Sequence, residues 1–156
     1  MSTFNYSDYE FNIRLHDLEA KKVHRANLAR FVKYFVDCRS VLDIATGTGV
    51  FLDLLREKQI QVVGVDDDAR VVESAAARGH RVIHKDILEY LAETEESFDG
   101  AFCSHVIEHL PFEAVTKLIE GVSRRLKSGG IFVLAFPSPK ALRTHLYQFW
   151  MDPQHV

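Results

Sequence analysis

The sequence predicts an α/β protein built on a doubly wound, mostly parallel sheet with helices on both faces. Three observations predict it. Short apolar runs rich in Val, Ile and Phe recur near residues 41, 61, 81, 98 and 130, as buried strands do. Segments with helical periodicity and helix-stop signals lie between them. The runs are continuously apolar rather than alternating, which is the pattern of strands covered on both faces. Right-handed crossovers then make an open, doubly wound sheet the economical arrangement, with ligands bound beyond the strand C-termini.

Residues 1–40 read as an N-terminal segment and a helix, because Leu15, Leu18, Leu28, Phe31, Val32 and Phe35 give Asp17 to Asp37 an amphipathic pattern. "VLDIA" from Val41 is the first strand, and Val50 to Lys58 the helix after it. "QVVGVD" from Gln61 follows, then a helix from Asp68 to Arg78 with Asp68 as N-cap and Gly79 as stop. "RVIHKD" from Arg81 leads into a shorter helix, Asp86 to Glu93. "FDGAFCS" from Phe98 is the fourth strand; Pro111 opens a helix from Phe112 to Lys127, and "GIFVLAF" from Gly130 is the fifth strand. Without repeats, linkers or low-complexity stretches, residues 1–156 make a single domain.

Composition narrows the function classes. With 47% hydrophobic and 26% charged residues, the 156-residue chain suits a globular domain with its own core. The net charge of -3 and the scattered basic residues argue against nucleic acid, and the cluster Arg124, Arg125 and Lys127 suits a helix C-terminus. Cys38 and Cys103 do not form a disulfide framework, so both are read as reduced. The start "MSTFNYSDYEFNIR" lacks a signal-peptide pattern and no apolar run is long enough to span a bilayer; a cytoplasmic protein without a membrane partner is expected.

In "VLDIATGTGVFLDLL", Asp43 lies in the first strand and Thr46-Gly47-Thr48-Gly49 turns the chain into the helix. Such a turn lets backbone approach a ligand, although it also serves plain strand-to-helix packing. The second strand ends at Asp66, where a carboxylate can accept from both hydroxyls of a ribose; Asp67 follows it, and Asp68 is better read as a cap. Asp86 and Ile87, after the third strand, stand where an adenine would be flanked, and Asp86 reads equally as an N-cap. A dinucleotide loop requires a third small residue where this chain has Leu52. Asp43 would repel a pyrophosphate and attract an ammonium group, which favours S-adenosylmethionine over NAD.

The stretch "SHVIEHLP" contains H-x-x-E-H, a spacing also found in inverted-motif zinc proteases. Those enzymes carry it on a long helix and add a third ligand. Here it follows directly on a strand, and Pro111 holds Leu110 extended, so at most a turn or two carries His105, Glu108 and His109. Glu113 and Glu120 fall in the next helix. No metal is expected. Glu108 reads either as part of a site or as a carboxylate paired with a nearby base.

"VLDIATGTGVF", "VVGVDDDARVVESAAARG", "HKDILEYL", "FDGAFCSHVIEHLP" and "LKSGGIFVLAFPSP" together resemble, in order and spacing, the class I S-adenosylmethionine-dependent methyltransferases. The resemblance covers residues 41 to 137 and implies a Rossmann-like fold, S-adenosyl-L-methionine as cofactor and S-adenosyl-L-homocysteine as product. It places the methionine moiety on Ala45 to Gly49, the ribose on Asp66 with Asp67 beside it, and the adenine on Asp86 and Ile87. It also puts Ser104, His105 and His109 in the loop facing the sulfonium and the acceptor. His105 and His109 would share one face of a short turn, with His105 nearer the methyl group. A few quinone-precursor O-methyltransferases resemble this segment with acidic residues and bind a divalent ion. Ala45 departs from the glycine usual there, and its methyl is tolerable if φ stays negative.

The implied activity is in-line displacement of a methyl group to an O, N or C atom of a small-molecule or sugar-type acceptor. For a hydroxyl acceptor, a histidine is the natural base, His105 first, although it equally serves to order the loop. The aromatic run Phe4, Tyr6, Tyr9 and Phe11 reads as a lid or as ordinary packing. Two rival classes stand beside this one: a non-catalytic cofactor-binding or interaction module, and an NAD-dependent oxidoreductase resting on Gly47, Gly49 and Asp66. The family adds two strands after the segment "QFWMDPQHV". The chain therefore reads as C-terminally truncated, as a naturally short variant or as a subunit; a second copy, a partner chain or the terminal helix is expected to cover the strand-five edge, and the chain alone is expected to be a weak catalyst.

Overall fold

The computed structural model describes residues 18–137. The aromatic run Phe4 to Phe11 and the segment after Pro137 lie outside the described residues. The elements follow in the order α1 (Leu18–Ala29), a 3-10 turn (Val32–Tyr34), β1 (Ser40–Ile44), α2 (Val50–Glu57), β2 (Gln61–Asp66) and α3 (Ala69–Ala77). Then come β3 (Arg81–His84), α4 (Ile87–Glu93), β4 (Phe98–Ser104), a second 3-10 turn (Ile107–His109), α5 (Phe112–Arg125) and β5 (Leu126–Ala135).

The strands form one five-stranded sheet in the order β3-β2-β1-β4-β5. Every pairing is parallel. The chain winds outward from β1 through β2 to β3, then crosses to the other side of β1 to lay down β4 and β5. That reversal opens a crevice above the C-termini of β1 and β4, because the connections leaving them diverge to opposite sides. Among the described residues β5 pairs only with β4, so it forms the sheet edge.

Each face of the sheet carries its own core. Leu42, Ile44, Val63, Val65, Ala101 and Cys103 pack against Tyr90 and Leu91 of α4 and Leu118 and Val122 of α5. Val41 and Phe102 pack the other way, against Leu28 of α1, Phe35, and Phe51, Leu54 and Leu55 of α2. Gly100 makes room for Phe35, whose ring lies where a Cβ would be. The ring centroids of Phe51 and Phe102 are 4.0 Å apart and that of Phe31 is 5.4 Å from Phe102, a contact that buries a large apolar area.

Two boundaries depart from the expected ones. The helix expected over Asp17 to Asp37 ends at Ala29, and the chain tightens into the 3-10 turn that carries Val32 to the sheet and leads into Phe35. The helix expected to reach Lys127 ends at Arg125, because Leu126 already pairs with Phe98 and Lys127 reaches Asp99, at 2.8 Å. Gly129, with φ of 78°, turns the chain through a bulge before Ile131 pairs with Gly100. At this end of the sheet, away from the crevice, one oxygen of Asp99 accepts from the Arg39 and Ser40 amides at 2.9 Å each. Among the described residues no helix is long and apolar enough to cross a membrane.

Candidate functional site

The site grows from the loop between β1 and α2. Its backbone is fastened to β2: the Ala45 and Thr46 amides both donate to the Val65 carbonyl, at 2.9 and 3.4 Å. Holding two successive N–H groups on one acceptor forces the chain to turn at Ala45, which takes φ of 54°. This overturns the expectation of a negative φ: alanine occupies the left-handed position that suits glycine, at a cost of about 1–2 kcal/mol. Gly47 and Gly49 are left-handed as well, with φ of 54° and 71°. Thr46 is buried over Gly64, where an added Cβ would stand 2.5 Å from the Thr46 hydroxyl.

Asp66 joins the loop to the end of β2. Oδ2 accepts from the Gly47 amide and Oδ1 from the Asp68 amide, each at 2.9 Å. Burial pushes the Asp66 carboxyl up from its ordinary value, against the pull of those two N–H groups. Each oxygen keeps acceptor capacity for a further donor. Asp43 lies deeper, 3% exposed, and its Oδ2 has no hydrogen-bond partner. Burial, then the charge on Asp66, hold its carboxyl well above the usual range. Thr48 Oγ is likewise buried and without a partner. Unmet polar groups of this kind cost free energy, and they collect where a ligand supplies what the protein omits.

The remaining expected residues lie at the same end of the sheet. Asp67 is exposed. Asp68 caps α3 by accepting from the Arg70 amide. Asp86 caps α4 through Oδ1, which accepts from Leu88 and Glu89 at 2.8 and 3.1 Å, and Ile87 beside it is half-buried. Ser104 ends β4 opposite Ala135.

His105, next along, takes φ of 57°, and its amide donates to the Ala135 carbonyl at 2.8 Å. The turn that follows is 3-10 and three residues long, too short for a zincin-type helix. His105 Nδ1 lies 3.2 Å from Glu108 Oε1, an i to i+3 contact. His109 is exposed. Among the described residues no three His, Cys, Asp or Glu side chains are grouped to hold a metal ion. Cys103, between the two halves of the site, is pushed up to about 12 by burial and by the charges of Asp43 and Glu108.

Sequence reasoning missed Arg78. From the end of α3 its Nη2 donates to the Thr48 carbonyl at 2.5 Å, passing through space that the absent side chain of Gly49 leaves open. Asp53 of α2 stands behind it, 3.7 Å from Arg78 Nε, 3.0 Å from Arg56 and 2.7 Å from the buried His80 ring. One signal was available for Thr46 rather than for Arg78: a glycine inside a strand, Gly64, marks a close approach, and Thr46 makes it. Nothing local in the sequence points from Arg78 to Thr48.

A family model described as a methyltransferase domain matches residues 15–156. The chain is 30% identical over 125 residues to a ubiquinone biosynthesis O-methyltransferase of Idiomarina loihiensis, covering 73% of this chain and 51% of that one. It superposes on the crystal structure of a SAM dependent methyltransferase from Archaeoglobus fulgidus with a TM-score of 0.82 and 30% identity, covering 97% of this chain and 66% of the other. The sugar N-methyltransferase KedS8 from Streptoalloteichus shares the fold, with a TM-score of 0.68 at 22% identity over 90% of this chain and 57% of that one. The chain thus spans 39–51% of the length of the curated relatives it matches.

Proposed function

Because this chain belongs to the methyltransferase-domain family, as the match over residues 15–156 establishes, we propose that it binds S-adenosylmethionine in the β1–β4 crevice and directs methyl transfer to an O or N atom of a small-molecule or sugar-type acceptor. The observation that carries this reading is the bond from the Gly47 amide to Asp66, which brings the glycine loop and the acidic end of β2 around one space. The residues there fit the cofactor. Asp43 Oδ2, buried and unpartnered beneath the loop, suits the ammonium end of the methionine moiety. Asp66 retains acceptor sites for ribose hydroxyls, and Ala45 to Gly49 supply a close-lying backbone. Leu52 is fully buried where a dinucleotide loop requires a small residue, which disfavours NAD.

The bound cofactor supplies an electrophilic methyl on a sulfonium, and transfer leaves both electrons of the broken bond on sulfur. The protein aligns the acceptor, excludes water and removes the acceptor's proton. His105 is assigned that last role, because it is the first residue past β4 and its ring is 59% exposed beside the crevice. The turnover of His105→Asn should fall at least about 100-fold with little change in cofactor affinity, within the range for a lost general base. The rate of the parent protein should rise with pH as the ring loses its proton, and that limb should vanish in the variant; an unaltered limb removes His105 from the catalytic set. Calorimetric titration with S-adenosylhomocysteine and with NADH tests the cofactor. Heat with the first alone is expected; tighter binding of NADH, or no binding of either, defeats the proposal.

A further inference from the structure

We infer that Glu108 is a positioning residue for His105: its carboxylate holds the imidazole with the proton on Nδ1 and leaves Nε2 to take a proton from an acceptor hydroxyl or amine. This rests on the methyltransferase reading above and specifies which atom of His105 acts and what sustains it.

Three observations converge. Glu108 is 11% exposed, and neither carboxylate oxygen makes a directed hydrogen bond within the protein. His105 Nδ1 lies 3.2 Å from Oε1, off the line of a hydrogen bond, and the two form an ion pair only when the ring is protonated. A small rotation of the exposed ring would align it. Second, burial pushes the Glu108 carboxyl up, but His105, its own backbone N–H and His109 draw it below the usual range. An ionised carboxylate therefore sits there, and a buried one is costly unless a cation faces it. Third, His105 is left-handed, φ 57°, with its N–H donating to the Ala135 carbonyl, an uncommon conformation for a residue with a side chain and one that collects at working sites.

The groups facing this pair explain the direction of its effect. Cys103 from β4 lies near Asp43 from β1 and Glu108, with His109 the other basic group on the turn; burial favours the neutral form of Asp43, so Glu108 is the negative charge facing His105. Positive charge on His105 is thus favoured where it develops. When the acceptor X–H gives its proton to Nε2, X keeps the bonding pair for attack on the methyl carbon. The imidazolium so formed faces Glu108, and its Nε2 proton then passes to water from the exposed ring. An anionic acceptor such as a carboxylate would be repelled by the same charge and needs no base; the pair suits a neutral or cationic acceptor with a proton to lose.

Nitrogen-15 spectra of the ring report the tautomer without turnover. His105 in the full chain should carry its proton on Nδ1 when neutral. In Glu108→Met, which removes both charge and acceptor, the ring should revert to the Nε2–H form. In Glu108→Gln, which keeps an acceptor but removes the charge, turnover should still drop at least about 10-fold, a part of what a positioned base supplies. In both variants the dissociation constant of S-adenosylhomocysteine should stay within about twofold of the parent's, since neither touches the loop that holds it. An Nε2–H ring in the parent protein, or parent-like turnover in Glu108→Gln, overturns the assignment. A loss of turnover matched by a loss of S-adenosylhomocysteine binding also overturns it, making Glu108 a prop of the loop. Should Glu108→Met not fold, the parent tautomer and the Gln variant still decide. Absence of S-adenosylhomocysteine binding in the parent would instead defeat the methyltransferase reading, while the ring spectra continue to judge the pair.

Discussion

Replacing Gly49 by alanine tests whether Arg78 holds the cofactor loop. A Cβ built at Gly49 overlaps Arg78 Nη2 and lies 3.5 Å from Ala75 Cβ. The left-handed φ of 71° costs an alanine about 1–2 kcal/mol, of which the stiffer unfolded chain returns about 0.4–1. The steric overlap itself is cheap, because the guanidinium is the far end of a flexible side chain and can swing away. Swinging away, however, breaks its bond to the Thr48 carbonyl. A hydrogen bond to a charged group contributes about 1.5–3 kcal/mol, and with the Arg78 side chain 34% exposed the lower end applies. Gly49→Ala should therefore lose about 2–3 kcal/mol in urea unfolding. Gly129, left-handed but with nothing within 4 Å, provides the control: Gly129→Ala should lose only the strain, about 1 kcal/mol. In an Arg78→Ala background the cost of Gly49→Ala should shrink to that same strain. If the two changes instead add within about 0.5 kcal/mol, the overlap is not expressed in stability and the role given to Arg78 fails.

Three further outcomes follow from the same geometry. Asp66→Ala should weaken S-adenosylhomocysteine binding by about 1.5–3 kcal/mol, the value of hydrogen bonds to a charged group, and an unchanged dissociation constant would refute the ribose role. Asp43→Asn should raise the thermal midpoint of the ligand-free protein at neutral pH while weakening cofactor binding. The folded-state carboxyl lies above its unfolded value, so the native state holds the extra proton between the two and stability falls as pH rises through that window. A midpoint that drops in Asp43→Asn would contradict this. Asp99 is the opposite case: the Lys127 side chain, with the Ser40 and Arg39 amides, holds its carboxyl far below the usual range. Its stabilisation is present above the unfolded value and is lost as pH falls through the folded one. Asp99→Ala should lose about 1–2 kcal/mol near neutral pH, flatten that acid limb, and leave S-adenosylhomocysteine affinity unchanged because it sits at the far end of the sheet.

What the sequence determined by itself is whatever depends on near neighbours along the chain. Apolar runs and helical periodicity located five strands and their crossovers, since burial on both faces imposes a composition that needs no partner to be seen. The glycine turn was legible because left-handed backbone leaves its mark in residue type, and Asp66 because the sheet topology sets its distance from the turn. Asp68 declared itself as a cap for the same local reason, whereas Asp86 read equally as a cap and as a neighbour of the adenine, and the structure shows its capping bonds. Other features came only from the tertiary structure. Ala45 is left-handed although its residue type says otherwise, because two amides must share the Val65 carbonyl on a neighbouring strand. Arg78 reaches Thr48 across 30 positions, through a gap that exists only once α3 has packed beside the loop. The i to i+3 contact of His105 with Glu108 depends on a 3-10 turn rather than an α-helical one, a choice made by the extended residue before Pro111 and the bond to Ala135. Local backbone preference is carried by single residues and short spacings; the partner of a buried charge is decided by which elements the sheet brings side by side.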